Sequence, residues 1–163
     1  MNLYTKLQRR AAENRPIRIG LIGAGKFGSM YLAQVPRTPG VHLVGIADLS
    51  PEAARTNLAR VGWERERTIA SSLDDAIKQG TTFILDDWRA LVSHPAIDVI
   101  VECTGNPIAA VEHCLAAFDH GKHVVNVTVE ADAFCGPLLA RKATEKNVVY
   151  SMAFGDQPAL ICD

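Results

Sequence analysis

One glycine-rich segment constrains the fold of this chain more than any other feature. The residues Gly23-Ala24-Gly25-Lys26-Phe27-Gly28 have the spacing GxGxxG, close the apolar run 17–23 and open a helical pattern over 26–35. Asp48 follows the last glycine at the interval of about 20 residues that is typical of a ribose-binding acid. In such a turn the first glycine allows a tight bend, the second lets a pyrophosphate approach the main chain, and the third lets the helix pack on the strand. The segment therefore predicts a dinucleotide-binding turn; an ordinary glycine-rich turn is the alternative.

The chemistry of this turn points to a nicotinamide dinucleotide. The expected contacts are those of Gly23, Gly25, Lys26, Phe27 and Gly28, because a helix N-terminus presents free N–H groups to phosphates. Asp48 can accept hydrogen bonds from both ribose hydroxyls, which favours NAD, although a helix-capping role is its alternative. Arg55 in the following helix could meet a 2′-phosphate, so the cofactor stays NAD or NADP.

The rest of the chain alternates between apolar runs and helical patterns. Apolar runs that lack polar alternation indicate parallel strands covered on both faces. The expected fold is an α/β, doubly wound, mostly parallel sheet of about six strands (a Rossmann fold) in the order 3-2-1-4-5-6. The predicted strands are 17–23, 41–48, 81–85, 97–103, 122–128 and 148–153, and the predicted helices are 2–14, 26–35, one opened by Ser50-Pro51-Glu52, 72–79, 86–92, 107–120 and 131–146.

Three later strand ends carry candidate site residues. After strand four, Thr104, Gly105 and Asn106 form a small-residue turn expected beside the cofactor, or else a plain strand-to-helix turn. Glu130 follows strand five, where it could orient a substrate, hold a metal or simply favour the start of a helix. Asp156 follows strand six and could bind a hydroxyl or a cation, or it is a turn residue before Pro158. Glu130 and Asp156 are the candidate catalytic residues.

Composition excludes several classes of protein. Seventeen Lys and Arg against 18 Asp and Glu leave a net charge of −1, so no nucleic-acid partner is expected. No apolar run approaches the length of a membrane span, and no signal-peptide core precedes residue 16, so no membrane partner and a cytoplasmic location are expected. The four cysteines have no CxxC spacing, and no metal site is predicted.

Several segments together resemble one enzyme group. The segments are IRIGLIGAGKFG at 17–28, ADLSPEAA at 47–54, ECTGNP at 102–107, GKHVVNVTVEAD at 121–132 and YSMAFGDQPAL at 150–160. They resemble the homoserine-dehydrogenase-like oxidoreductases, including the DXP-reductoisomerase-like (DRL) enzymes with their SAF-type domain. Sugar-oxidising relatives of the Gfo/Idh/MocA type carry Glu-Lys-Pro after strand five, whereas this chain reads Val129-Glu130-Ala131.

The resemblance implies an N-terminal fragment with three parts. Residues 1–15 would be an N-terminal helix, 16–155 the dinucleotide-binding domain, and 156–163 the start of an absent catalytic domain. The expected function is hydride transfer to or from a small hydroxylated or phosphorylated carbonyl substrate, with a homo-oligomer in the full-length form and little activity in this piece alone. The alternatives are a non-enzymatic sensor of the NADH/NAD ratio and, more weakly, an S-adenosylmethionine-dependent methyltransferase.

Overall fold

A computed structural model describes residues 2–153 and contains one six-stranded sheet. All five strand pairs are parallel, in the order β3-β2-β1-β4-β5-β6. The predicted doubly wound α/β fold and its strand order are therefore confirmed. The strands are β1 (Ile17–Ile22), β2 (Val41–Ala47), β3 (Phe83–Leu85), β4 (Val99–Glu102), β5 (His123–Asn126) and β6 (Tyr150–Met152).

Seven helices connect or precede these strands. Short 3₁₀ turns at Val35–Arg37 and Arg65–Thr68 lie between them. Among the residues described, no helix has both the length and the apolar character needed to cross a membrane. The helices are α1 (Leu3–Ala12), α2 (Lys26–Gln34), α3 (Pro51–Arg60), α4 (Leu73–Gln79), α5 (Trp88–Ser93), α6 (Pro107–Asp119) and α7 (Val129–Glu145).

Local sequence explains where most of these helices begin. Helices α3, α4, α5 and α6 each start after a Ser, Asp or Asn whose side-chain oxygen accepts a hydrogen bond from the first helical turn. Helix α2 differs, because its N-cap is Gly25 and no side chain caps it. The backbone N–H groups at the start of α2 are therefore left for another acceptor.

Both faces of the sheet are buried, as the unbroken apolar runs predict. On one face, Leu21 and Val101 pack with Leu32 of α2 and Leu58 of α3. On the other face, Ile100 packs with Phe118 of α6 and with residues of α4, α5 and α7. Burial on two faces fixes the strand ends relative to one another, and the loops that follow them form the site.

Helix α7 differs from the prediction in its start and its shape. It begins at Val129 rather than at 131, so Glu130 lies inside its first turn. Cys135 has non-helical backbone angles, φ −146° and ψ 24°, two residues before Pro137. Proline removes a helical N–H and clashes with the preceding turn, which accounts for the kink. The other boundaries of predicted elements differ by a few residues at most from those observed.

Candidate functional site

The strand order reverses at β1, and the candidate site lies where it does. Ile22, at the carboxyl end of β1, pairs with Ala47 of β2 on one side and with Glu102 of β4 on the other. The Gly23 N–H donates to Ala47 O at 2.8 Å, and the Cys103 N–H donates to Ile22 O at 2.8 Å. Loops from both halves of the sheet therefore meet at one point, which is where doubly wound folds bind ligands.

The glycines of the turn meet three different steric requirements. Gly23 has φ +92°, and a Cβ there would lie 2.9 Å from the Cys103 carbonyl. A Cβ on Gly28 would lie 2.5 Å from Gly23 O, so only glycine allows α2 to pack this closely on the turn. At Gly25 an added Cβ meets no atom within 4 Å. The open space therefore lies beside Gly25, next to the uncapped N-terminus of α2, as a phosphate-binding turn requires.

The turn is held by Asp48 and Asn57. Asp48 Oδ2 accepts a hydrogen bond from the Ala24 N–H at 2.8 Å, and its Oδ1 accepts one from the Ser50 N–H at 2.9 Å. Asn57 Nδ2 of α3 donates to Ala24 O at 2.9 Å. Each carboxylate oxygen of Asp48 keeps a second lone pair, so the half-buried side chain can both hold the turn and accept from a ribose.

Two cavities flank the turn. The larger, of about 460 Å³, lies beside Asp48, and the smaller, of about 320 Å³, lies beside Glu130. Cys103 lines both. The larger cavity is further lined by Gly23, Gly25, Leu49, Asp86, Trp88, Thr104, Asn106, Glu112 and His113, and the smaller by Phe27, Gly105, Val127, Thr128 and Val129.

The other residues predicted to contact the cofactor near the turn lie in different places. Phe27 is 40% exposed and lines the smaller cavity. Lys26 is the exposed first residue of α2, where its backbone N–H belongs to the open turn. Arg55 lines a separate groove with Trp63 and Arg65, away from the cavity that holds Asp48.

The loop after β4 uses most of its polar side-chain atoms internally. The Thr104 hydroxyl donates to Glu102 Oε1 at 2.5 Å, and Asn106 Oδ1 accepts from the backbone N–H groups of Ile108 and Ala109 at 3.1 Å each. The Thr104 hydroxyl is therefore directed to Glu102, and Asn106 is the N-cap of α6. Both residues still line the larger cavity, so their place beside a cofactor stays a prediction. Gly105 has φ +70° and open space around it.

Glu102, which was not among the predicted site residues, lies at the centre of the site. Its side chain is fully buried, and its carboxylate contacts Thr104, Thr128 and His113. His113 also lines the larger cavity, and its Nδ1 lies 3.2 Å from Glu102 Oε1. A signal was present, since Glu102 and Asn126 end adjacent parallel strands and a threonine follows each by two residues.

The two candidate catalytic acids have different outcomes. Glu130 is exposed in the first turn of α7 and lines the smaller cavity, which keeps it close to the site. Asp156 lies outside the described residues. Within residues 2–153, no group of three His, Cys, Asp or Glu side chains is arranged to hold a metal ion.

The Cys103 thiol, which lines both cavities, is not activated as a nucleophile. Cys103 is buried, and burial, with a smaller effect of Glu102, raises its thiol pKa to about 12. A nucleophilic cysteine requires a lowered pKa, so this residue serves packing rather than covalent chemistry.

Comparisons with known proteins agree with this geometry. The family described as "Oxidoreductase family, NAD-binding Rossmann fold" (Gfo/Idh/MocA) matches residues 17–126. The matched segment begins at β1 and ends at β5, and it contains the glycine-rich turn, Asp48 and the Thr104–Asn106 loop.

Individual relatives are dehydrogenases. A homoserine dehydrogenase of Pseudomonas aeruginosa is 30% identical over 135 residues, which cover 83% of this chain and 28% of that protein. The structure of a homoserine dehydrogenase from Thiobacillus denitrificans has a TM-score of 0.65 at 23% identity, covering 84% of this chain and 29% of that one. A levoglucosan dehydrogenase in complex with NADH has a TM-score of 0.57 at 25% identity, covering 85% and 35%.

The chain spans about a quarter to a third of the length of the curated relatives it matches. The family match itself covers well over half of this chain, from the first strand to the fifth. The chain therefore belongs to the Gfo/Idh/MocA oxidoreductase family and carries its NAD-binding Rossmann fold.

Proposed function

We propose that this chain is the nucleotide-binding part of a dehydrogenase that transfers hydride to or from a small hydroxylated or phosphorylated carbonyl compound. The observation that carries the proposal is the uncapped N-terminus of α2, which lies beside the open space at Gly25 and is tied to Asp48 through Ala24. A pyrophosphate fits such a turn, because free N–H groups and a helix dipole favour an anion there. The bound nicotinamide supplies the hydride chemistry, and the protein supplies binding and orientation.

The preferred cofactor on this account is NAD(H) rather than NADP(H). Three acidic side chains, Asp48, Asp86 and Glu112, line the larger cavity, where the adenosine end would lie. Negative charge in this position opposes a 2′-phosphate. Arg55 lines a different groove and does not compensate for it. Structural neighbours include both a levoglucosan dehydrogenase bound to NADH and a biliverdin reductase bound to NADP⁺, so the preference rests on the charge of the cavity.

The smaller cavity would receive the nicotinamide end. Its described lining includes Thr128 and Glu130 but no histidine or lysine. Reduction of a carbonyl needs a proton donor beside the reacting oxygen, and Glu130 is the titratable side chain best placed for such a role. We therefore propose Glu130 as a substrate-side residue. Because the chain spans only about a quarter to a third of its curated relatives, we also propose that the 163-residue chain alone has little or no turnover.

The relatives and the resemblance support the proposed substrate class. The matched proteins include homoserine and levoglucosan dehydrogenases. The segments around Glu130 and at 150–160 also resemble the DRL group, whose substrate is phosphorylated. A hydroxylated or phosphorylated carbonyl compound is a class that includes both kinds of substrate. We also propose that the whole enzyme assembles as a homo-oligomer.

A thermal-shift comparison of four nucleotides tests the proposal. A ligand that binds only the folded state raises the melting temperature with concentration. We expect stabilisation by NADH, weaker stabilisation by NADPH, and none by FAD or S-adenosylmethionine. Stabilisation by S-adenosylmethionine without NADH would overturn the assignment, and equal or stronger stabilisation by NADPH would overturn the cofactor preference alone.

A further inference from the structure

A fully buried carboxylate lies at the end of β4, between the two cavities. Glu102 Oε1 accepts hydrogen bonds from the Thr104 N–H at 3.2 Å and from the Thr104 hydroxyl at 2.5 Å. Its Oε2 accepts a hydrogen bond from the Thr128 hydroxyl. A buried carboxylate is costly unless its oxygens are satisfied, so these contacts are what allows Glu102 to remain there.

Each threonine hydroxyl that contacts Glu102 also accepts a hydrogen bond from a backbone N–H group. Thr128 Oγ1 accepts from the Gly105 N–H at 3.0 Å, and Thr104 Oγ1 accepts from the Asn106 N–H at 3.3 Å. A threonine hydroxyl has one proton and two lone pairs, so it can accept the backbone N–H and donate its proton to Glu102, whose carboxylate oxygens only accept. The carboxylate therefore orders two hydroxyls, and each hydroxyl in turn holds part of the loop after β4.

The two carboxylate oxygens of Glu102 contact residues that line different cavities. Oε1 contacts Thr104 and His113, which line the larger cavity, and the His113 ring packs edge-on against Trp88 with centroids 4.5 Å apart. Oε2 contacts Thr128, which lines the smaller cavity. One rigid group thus supports walls of both cavities.

We propose that Glu102 is a positioning residue that couples the larger and the smaller cavity, so that loss of its Thr128 contact weakens binding in the larger cavity. This inference rests on the proposed function, since it assumes that the adenosine end binds beside His113 and Asp48. The physical basis is preorganisation: a loop that is ordered before binding does not have to be ordered by the ligand.

The test compares Thr128→Val with Thr128→Ser. Valine keeps the shape of threonine but removes the hydroxyl that joins Gly105 to Glu102, whereas serine keeps that hydroxyl. The dissociation constants of NADH and of 5′-AMP are measured by calorimetry, because AMP carries only the adenosine end, which we propose binds in the larger cavity, whereas Thr128 lines the smaller one. We expect AMP and NADH affinity to fall about fivefold or more in Thr128→Val, which is the loss that results when only about one fifth of the free molecules keep the loop in its binding conformation. In Thr128→Ser both affinities stay within about twofold of wild type.

The possible results distinguish failure of the coupling from failure of the proposed function. An unchanged AMP affinity in Thr128→Val, alongside weaker NADH binding, would show a local contact and overturn the coupling while leaving the proposed function intact. Equal loss in both variants would assign the effect to the methyl group and also overturn it. Failure of the wild-type chain to bind NADH would instead overturn the proposed function.

A reciprocal pair guards against a variant that fails to fold. Thr104→Val and Thr104→Ser alter the other hydroxyl, and nicotinamide mononucleotide is then the probe for the smaller cavity. Coupling predicts weaker binding of that probe in Thr104→Val and near wild-type binding in Thr104→Ser. Unfolding curves without ligand identify which pair of variants is folded, and that pair decides the question.

Discussion

Asp48 Oδ2 lies 2.8 Å from the backbone nitrogen of Ala24 and accepts its hydrogen bond, which ties the end of β2 to the glycine-rich turn after β1. The same carboxylate accepts from the Ser50 N–H at the start of α3. One side chain therefore contacts the residue that caps the next helix and also lines the larger cavity, and its contact with a ribose stays a prediction.

Replacing Asp48 by asparagine is expected to change both stability and cofactor preference. The amide group cannot accept at its nitrogen, so one of the two backbone N–H groups loses its partner, at a cost of about 1 kcal/mol in the free energy of unfolding. Removing the negative charge also lowers NADH affinity by roughly tenfold and lowers NADPH affinity less. Urea unfolding and paired titrations measure the two effects. An unchanged ratio of the NADH and NADPH dissociation constants would contradict the ribose role.

The glycines predict a separation of binding from folding. At Gly25 the backbone is extended, with φ −71° and ψ −155°, and a side chain would enter open space. Gly25→Val should therefore cost no more than about 1 kcal/mol in the free energy of unfolding, since valine is a poorer N-cap than glycine, and should abolish NADH binding by filling the space meant for phosphate.

Gly28→Ala is the matched control for that variant. Its Cβ would lie 2.5 Å from Gly23 O, so α2 must shift, at a cost of about 1–3 kcal/mol in the free energy of unfolding. If Gly25→Val bound NADH as tightly as wild type, the phosphate would have to lie elsewhere.

Trp88 should report occupancy of the larger cavity. It lines that cavity, whereas Trp63 lies on the α2 and α3 side and donates its indole N–H to Leu32 O at 2.7 Å. ADP-ribose is the suitable ligand, because it does not absorb where tryptophan emits. We expect it to alter the emission of Trp63→Phe, which keeps only Trp88. In Trp88→Phe, which keeps only Trp63, the emission should not change. A change in Trp88→Phe but not in Trp63→Phe would place the ligand near α2 and α3 and contradict the account.

The buried thiols predict a loss of stability at alkaline pH. Burial raises the pKa of Cys103 and of Cys114 to about 12, from an ordinary value of 9.0. Between these values the unfolded chain releases thiol protons that the folded chain retains, so unfolding becomes easier as the pH rises. The free energy of unfolding should be steady up to about pH 8.5 and fall above it. Cys114→Ala should have a shallower alkaline slope than wild type, and an equal slope would exclude this thiol as a cause.

The sheet was predictable because its signals are local and agree with one another. Apolar runs, Gly and Pro breaks and Ser or Asp caps each mark one element, and the turn at Gly23 fixes which strand lies at the centre. The kink in α7 follows from Pro137, although only a helix over 131–146, without a kink, was predicted. Helix ends depend on capping geometry, which composition specifies less sharply.

The centre of the site was harder to predict, because its main residue breaks a general rule. A glutamate that is wholly buried at a strand end runs against the usual placement of charge, and only the register of β4 beside β5 brings Thr128 to it. Asn57 was missed for a similar reason, since its contact with Ala24 joins residues far apart in the chain. Such contacts arise from tertiary packing and leave little trace in a single sequence.

A crystal structure of the chain with NAD⁺ tests the central claim most directly. We predict the pyrophosphate within hydrogen-bond distance of the backbone N–H groups that begin α2, beside Gly25, with the adenosine ribose on the Asp48 carboxylate. A dinucleotide bound elsewhere on the sheet, with the space at Gly25 filled by protein side chains, would contradict the account.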